Sequence, residues 1–263
     1  MKYKVMAIAA LLLAVVGVAT PLAAGTASNM RSGETATVAK GEVLESSVYL
    51  AGKTINVAGE VQGDLYCAGQ VIEITGRVTG DVICAGQSVH VSGTVVGNVR
   101  IAGQTVSVDG PVGRSLTAFG QTVTQTGNSV VNSDATIFGT TLQLNGRIGR
   151  DTVAGGDAVT VSGATGRNMT VTDSQLALTS GAKVGGNLDY TSARDASVDK
   201  GAVIGGTSKR HDPPKDETSA SGAGWAAELG MALYWFGAVL VFGLVLLAFA
   251  PKSPKRLGNF KNC

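Results

Sequence analysis

The sequence of this chain is short of several residue types that carry chemistry in other proteins. It has two histidines, His90 and His211, and they are far apart, so neither a zinc site nor a Ser-His-Asp triad is predicted. The formal net charge is +2, from 21 basic and 19 acidic residues, so neither sign is in excess and no nucleic-acid partner is predicted. Aromatic residues make up 5% of the chain. The arginines at 114, 147, 150 and 167, a candidate basic stripe for an anionic cell-wall polymer, therefore have no aromatic platform beside them, and a solvated surface is favoured.

Glycine is abundant, with 37 residues, and it recurs at a fixed interval. Val48–Asp64 and Leu65–Asp81 share one pattern, and the two segments that follow continue it. The repeated glycines are therefore evenly spaced, at Gly52, Gly69, Gly86, Gly103 and Gly120. A strict short period of this kind predicts a solenoid of stacked coils.

Within one unit, apolar and polar residues alternate in three short runs separated by glycine, which predicts three brief strands joined by tight corners. One predicted core column occupies the eighth position of each unit and comprises Ile55, Ile72, Val89, Val106, Val123, Leu142, Val159 and Leu176. The tenth position forms a second apolar column, interrupted by Gln125. A single coil buries too little apolar surface to offset its conformational entropy, so we expect the coils to stack on one another.

The predicted solenoid covers residues 33–207 in nine units. Gly33–Ser47 is a looser unit rich in charge and is interpreted as a polar cap, and the units from Met169 to Thr207 are longer and less regular. Residues 208–224 have no periodicity and contain Pro213 and Pro214, which indicates a flexible linker.

Both termini carry predicted targeting segments. Residues 1–27 have two lysines, an apolar run and a small-residue end, as in a secretory signal peptide; an uncleaved signal anchor is the alternative. Residues 231–250 are uncharged and are followed by Lys252, Lys255 and Arg256, which predicts a transmembrane helix with a cytoplasmic tail at 251–263. The solenoid is therefore predicted to lie on the extracytoplasmic side of the cell membrane, attached by a single span.

Cys67 and Cys84 occupy equivalent positions of adjacent units, so their backbones are expected about 4.8 Å apart. This distance permits a disulfide, but parallel side chains in register are poor geometry for one. Two buried thiols are therefore favoured, with a disulfide as the alternative. Cys263 has no assigned role.

The last position of the unit forms a polar column of Asp64, Asp81, Asn98, Ser115, Asp134, Asp151, Asn168 and Asn187. Carboxylates in a column could bind calcium, but the spacing lacks an Asp-x-Asp ligand pattern, so corner capping is favoured. A second column, of Gln70, Gln87, Gln104 and Gln121, is explained by stacked amides. No catalytic residue, metal site or cofactor is predicted, because the loops are minimal and no cleft is expected.

Repeats of the form x-G-[DN]-[VL]-x-[CI]-A-G-Q-x-[VI]-x-[VI]-x-G-x-V, densest from Val48 to Asp109, resemble those of the bactofilins, also called polymer-forming cytoskeletal proteins. The resemblance implies a right-handed, three-sided β-helix that joins end to end into nucleotide-independent filaments, often at a membrane. Typical bactofilins are cytoplasmic with short tails, whereas this chain has the two predicted targeting segments. End coils rich in charge are also unlike the open apolar ends expected of a filament subunit.

The expected function is a non-enzymatic scaffold or filament unit at the cell envelope, with other copies of the chain and the membrane as partners and a cell-wall polysaccharide as a further candidate. The main alternative is a monomeric surface stalk or adhesin-like module. A carbohydrate-active β-helix enzyme is the third.

Overall fold

The computed structural model describes residues 29–172 and 175–213, and this part of the chain is an all-β parallel solenoid of eleven coils with no helix. None of its elements could therefore span a membrane as a helix. The predicted signal peptide, the linker beyond Pro213, the predicted transmembrane helix and the tail all lie outside the described residues.

The strands are short, and most coils contribute one long strand and one of two residues. They are β1 (Met30–Val38), β2 (Val43–Leu44), β3 (Val48–Val57), β4 (Glu60–Val61), β5 (Leu65–Ile74), β6 (Arg77–Val78), β7 (Val82–Val91), β8 (Thr94–Val95), β9 (Val99–Val108), β10 (Leu116–Gln125), β11 (Val130–Val131) and β12 (Ala135–Leu144). They continue as β13 (Arg147–Ile148), β14 (Thr152–Gly155), β15 (Ala158–Val161), β16 (Ala164–Thr165), β17 (Met169–Thr172), β18 (Gln175–Leu178), β19 (Lys183–Val184), β20 (Leu188–Thr191), β21 (Ser197–Val198), β22 (Val203–Ile204) and β23 (Ser208–His211).

All strand pairing is parallel and runs from each coil to the next. The main sheet has the order β1-β3-β5-β7-β9-β10-β12-β14-β17-β20-β23, and from the eighth coil onward the long strand divides into two. The two-residue strands other than β21 form two narrower sheets, β2-β4-β6-β8 and β11-β13-β16-β19-β22, which are separated by the coil that contains Val112. Pro111 precedes Val112, and a proline cannot donate a hydrogen bond to the ladder, so this coil contributes only single bridges to Val95 and Val131.

The core is a set of apolar columns that run along the solenoid. Neighbours in the predicted column pair in register from Ile55 with Ile72 to Val159 with Leu176, and all eight are at most 4% exposed. Side chains alternate between inward and outward along each strand. Because regular coils repeat every 17 residues and pair in register, equivalent residues of successive coils point the same way.

Gln125 interrupts the second apolar column and is fully buried between Val108 and Leu144. Its Nε2 donates a long hydrogen bond of 3.4 Å to the Arg147 carbonyl. Its Oε1 has no protein partner among the described residues. The coil that contains it is two residues longer than the regular ones, since Leu116 pairs with Ala135.

Corner glycines are required by close stacking of one backbone on the next. A Cβ added at Gly93 would lie 1.9 Å from the Gly76 carbonyl oxygen, and one added at Gly76 would lie 1.9 Å from that of Gly59. No side chain tolerates such a contact, so the glycine period records the places where successive coils approach most closely.

The solenoid is longer than the predicted nine units. It begins at Met30, where β1 pairs in register with β3, and it ends at His211, where β23 pairs with β20. The prediction of a linker starting at residue 208 was therefore wrong for its first four residues. The sequence pattern did not reveal these strands because their side chains are mostly polar, as is common in the terminal repeats of a solenoid.

Candidate interaction surfaces and ends of the solenoid

Cys67 and Cys84 form a disulfide that joins the third and fourth coils, with their Cα atoms 4.5 Å apart. The preference for two free thiols was wrong, because in-register neighbours lie within the range of Cα distances that a disulfide spans, and side-chain rotation can bring the two Sγ atoms together. Both residues are buried in the inward column between Leu50 and Ile101.

The polar corner column holds successive coils together. The Oδ1 of Asp64 accepts the backbone N–H of Asp81 at 2.8 Å, and the Oδ1 of Asp81 accepts that of Asn98 at 2.8 Å. The same bond recurs in later coils, from Asp134, Asp151, Asn168 and Asn187 to the next coil. No group of residues suited to a metal ion occurs in the described ranges, and these carboxylates are occupied by backbone donors.

Two arginines of the candidate basic stripe are paired with the same corner carboxylates. Arg167 forms an ion pair with Asp151, and Arg150 lies 3.4 Å from Asp134. The hydrogen bond from Arg167 and that from the Asn168 backbone lower the pKa of Asp151 below its ordinary value. These guanidinium groups already bind carboxylates of the same chain. The hypothesis that the basic stripe binds an anionic cell-wall polymer is therefore weakened.

The glutamine column is a ladder of side-chain amides. Gln87 donates to Gln104, and Gln104 donates to Gln121, both at 3.3 Å. His90 lies half-buried on the neighbouring outward column, in register with Glu73 and Ser107. No group of residues that could hold a metal ion includes it in the part of the chain that the structure covers.

A charged pair closes the N-terminal end of the core. Arg31 takes the inward position of the column that continues as Leu50 and Cys67. Its guanidinium binds the Glu42 carboxylate and the Thr37 carbonyl. The hydrogen bonds from Arg31 and from the Ala39 N–H lower the pKa of Glu42 to about 2.

Arg210 closes the same column at the other end. It is in register with Tyr190, which is buried and belongs to the core. Its guanidinium lies 3.5 Å from Asp195 and 3.1 Å from Asp212. The inward column therefore ends in an ion-paired arginine on both sides.

Another inward column ends in apolar side chains. It runs through the two-residue strands, beginning with Leu44 in β2 and ending with Ile204 in β22. Equivalent residues inside the solenoid, such as Val61 and Val184, are buried, whereas Leu44 and Ile204 are partly exposed and pack on the core from one side only. The strands β1 and β23 are also paired on one side in the described residues, so both ends present an open edge.

One outer face of the solenoid is apolar, and the sequence repeat did not reveal it. It is formed by two outward columns, which we name together the apolar face. The first column contains Met30, Tyr49, Tyr66, Ile83, Arg100, Thr117, Thr136 and Val153; the second contains Ser32, Ala51, Ala68, Ala85, Ala102, Phe119, Phe138 and Gly155.

Aromatic rings on this face are ordered by their neighbours. The rings of Tyr49 and Tyr66 stack with centroids 4.8 Å apart, and those of Phe119 and Phe138 stack at 6.0 Å. Asp64 lies near the Tyr66 hydroxyl, and its negative charge raises the pKa of that phenol. The adjoining outer face, formed by the second half of each long strand, is dominated by threonine, serine, asparagine and charged residues.

Comparisons with protein-family models, with curated proteins and with solved structures give no match for this chain.

Proposed function

We propose that this protein is a non-enzymatic, polymer-forming scaffold of the cell envelope, similar to the bactofilins, whose solenoids join end to end. Its coils are proposed to wind as a right-handed, three-sided β-helix. The observation that carries the proposal is that both ends combine an open strand edge with a half-buried core residue, Leu44 at one end and Ile204 at the other. An edge strand with an apolar flank is a template for another chain, and contact between the two ends would bury both residues.

The charged pairs at the ends are compatible with such a contact. Arg31 is neutralised by Glu42, and Arg210 by Asp195 and Asp212, so both arginines at the ends of the inward column are already paired. Ion pairs that become desolvated on contact contribute little affinity but fix the alignment of the two surfaces. We therefore expect end-to-end joining to have a defined register.

Location at the envelope is proposed from the predicted signal peptide at 1–27 and the predicted span at 231–250, and the Cys67–Cys84 disulfide supports it. Disulfides persist in oxidising compartments and are rare in the cytosol. The solenoid is accordingly proposed to lie on the extracytoplasmic side of the membrane, attached through the linker after His211.

Electron microscopy of the purified full chain in detergent tests the assembly. Filaments many coils longer than the eleven of one subunit are expected for the wild type. Leu44→Glu and Ile204→Glu each place a carboxylate in the end contact and should give short rods that are one solenoid long. The matched control is Val43→Glu, because Val43 is adjacent to Leu44 but is an outward, 49% exposed side chain; it should leave the filaments intact.

A monomeric surface stalk is the second candidate, and the ion-paired arginines at both ends favour it. Terminal coils with a charged, solvated outer surface are typical of solenoids that stay monomeric. Short uniform rods from the wild-type chain, equal in length to those of Ile204→Glu, would establish the stalk and exclude the filament.

A further inference from the structure

The scaffold proposal leaves the apolar face of the solenoid unused. Met30 is 61% exposed, Tyr49 47%, Ile83 37% and Phe119 47%, all on one side of the solenoid. The face extends over eight coils, so at about 4.8 Å per coil and about 13 Å of strand width it covers about 500 Å². The largest apolar patch on a monomeric protein is commonly of about this size and is often functional, so this face is a candidate contact surface.

Large and small side chains alternate across this face in a regular way. In the first four coils the large residue lies in the first column and the small one in the second, as with Tyr49 and Ala51, or Tyr66 and Ala68. In the sixth and seventh coils the order is reversed, with Thr117 beside the larger Phe119. The fifth coil repeats the first arrangement with Arg100 and Ala102, and in the eighth coil Val153 lies beside Gly155, which is covered by the Phe138 ring.

Such a surface is complementary to itself. A two-fold axis parallel to the solenoid, lying in the plane of contact, places the first column of one copy over the second column of its partner at the same coil. Each large residue then faces a small one: tyrosine and isoleucine face alanine in the first coils, and phenylalanine faces threonine further along. Isologous contacts require a patch that matches its own image, and this one does.

We propose that two copies of this chain pair side by side and in parallel through the apolar face. The buried area is about 1,000 Å² over both copies, which is below the range of about 1,200–2,000 Å² for stable interfaces and is typical of a weak, reversible contact. Arg100, the one charged residue among the sixteen of the face, is drawn toward the corner by its 2.7 Å ion pair with Asp81 and faces Ala102 of the partner. An antiparallel pair centred on this coil would instead bring the two Arg100 side chains together.

Parallel pairing also suits two chains attached to one membrane. Both copies continue after His211 at the same end of their solenoids, so both predicted spans can enter the same bilayer. Confinement there raises the effective concentration of the second copy, which compensates for a modest contact area. This point rests on the proposed membrane attachment, whereas the pairing itself does not.

Other occupants fit the face less well. The Tyr49 and Tyr66 rings stack on each other with an interplanar angle of 8°, so they present their edges outward and offer no open ring face to a sugar. A lipid surface would be expected to attract basic side chains around an apolar patch, and the neighbouring outer face carries Glu73 in place of a lysine cluster.

The mass of the full chain in detergent micelles, measured by native mass spectrometry, tests the pairing. The Ile204→Glu background removes end-to-end contacts, and in it we expect two chains per particle. Ala68→Glu puts two unpaired carboxylates into the contact and should weaken pairing by about 100-fold or more, giving one chain. Thr105→Glu, an exposed outward residue on the polar face, is the matched control and should leave two chains.

Cross-linking establishes the orientation and separates this proposal from the previous one. With Cys263→Ser present, a mixture of Thr117→Cys and Phe119→Cys chains should form a cross-link between the two variants, because these positions face each other only in the parallel pair. A cross-link between Phe119→Cys and Ala85→Cys chains would show the antiparallel pair and overturn the orientation. End-to-end joining brings neither set together, so the filament proposal and the pairing proposal are tested independently of each other.

One chain per particle in the Ile204→Glu background would overturn the pairing, as would two chains lost in Thr105→Glu but kept in Ala68→Glu. Phe119→Glu is a second variant of the apolar face, and circular dichroism of each variant verifies that the solenoid is folded. Binding to anionic or neutral lipid vesicles that is lost in Ala68→Glu, with single-chain particles throughout, would identify a bilayer as the occupant instead.

Discussion

Cys67 and Cys84 are covalently joined across two adjacent coils, with a sequence separation of 17 and a distance of 4.5 Å between their Cα atoms. The bond connects two layers that are already held by nine in-register residue pairs of β5 and β7. It therefore acts mainly on the unfolded chain, where it restricts a loop of one coil.

Reduction of this disulfide should lower the stability of the solenoid. Closure of a loop of this length is worth about 3 kcal/mol in the chain-entropy treatment, so we expect a clear drop in the midpoint of chemical unfolding when a reductant is added. The control is Cys67→Val/Cys84→Val, which keeps the column apolar between Leu50 and Ile101. Its midpoint should be independent of reductant; a wild-type midpoint that is equally independent would contradict the prediction.

Gly93→Ala should destabilise the protein strongly, by about 2 kcal/mol or more, because its Cβ would lie 1.9 Å from the Gly76 carbonyl oxygen. Gly127→Ala is the matched control, since the nearest atom to its added Cβ is the Asn145 carbonyl oxygen at 3.9 Å. It should be neutral or slightly stabilising through the unfolded state. Thermal unfolding of both variants measures the difference, and similar losses in the two would show that corner stacking is not the cause.

Gln125→Leu should leave the protein as stable or stabilise it by about 1 kcal/mol. The substitution removes a buried Oε1 without a protein partner and restores an apolar column between Val108 and Leu144, at the loss of one 3.4 Å hydrogen bond. Val108→Gln, in the preceding coil, is the reciprocal test and should cost about 2 kcal/mol or more. A marked loss of stability in Gln125→Leu would contradict the prediction. It would show that the Gln125 amide makes stabilising interactions beyond its hydrogen bond to the Arg147 carbonyl.

The N-terminal coil should loosen at low pH. The pKa of Glu42 is lowered to about 2 in the folded protein by Arg31 and by the Ala39 N–H, against about 4.3 in an unfolded chain. A depressed carboxyl pKa stabilises the folded state fully above the unfolded value, and that contribution is lost as the pH falls from about 4 to about 2. Because both side chains are about a third exposed, the effect is expected to be below about 1 kcal/mol.

Hydrogen exchange of β1, followed between pH 5 and pH 2 after correction for the intrinsic rates, measures this change. Protection of Met30–Val38 should fall relative to that of β7 in the interior of the solenoid. Glu42→Gln should show lower protection of β1 at pH 5 and little further change on acidification. An equal pH response in wild type and variant would assign the effect to other carboxylates.

The repeated sequence alone was enough to predict the parallel all-β solenoid, its period and its inward columns. The reason is that stacking in register makes each coil the neighbour of the same positions in the next, so a linear period becomes a spatial column. The corner Asp and Asn residues and the glutamine ladder were predictable for the same reason, as each needs only its own equivalent one coil away.

Only the tertiary structure decided the points that depend on distances within and between columns. It decided that Cys67 and Cys84 are bonded, because a disulfide depends on a few tenths of an ångström and on side-chain rotation. It extended the solenoid into the charged end coils, where Arg31 and Arg210 occupy inward positions through ion pairs that no periodicity indicates. The tertiary structure was also needed to identify the apolar face, because the match between large and small side chains depends on how the two outward columns are aligned in space.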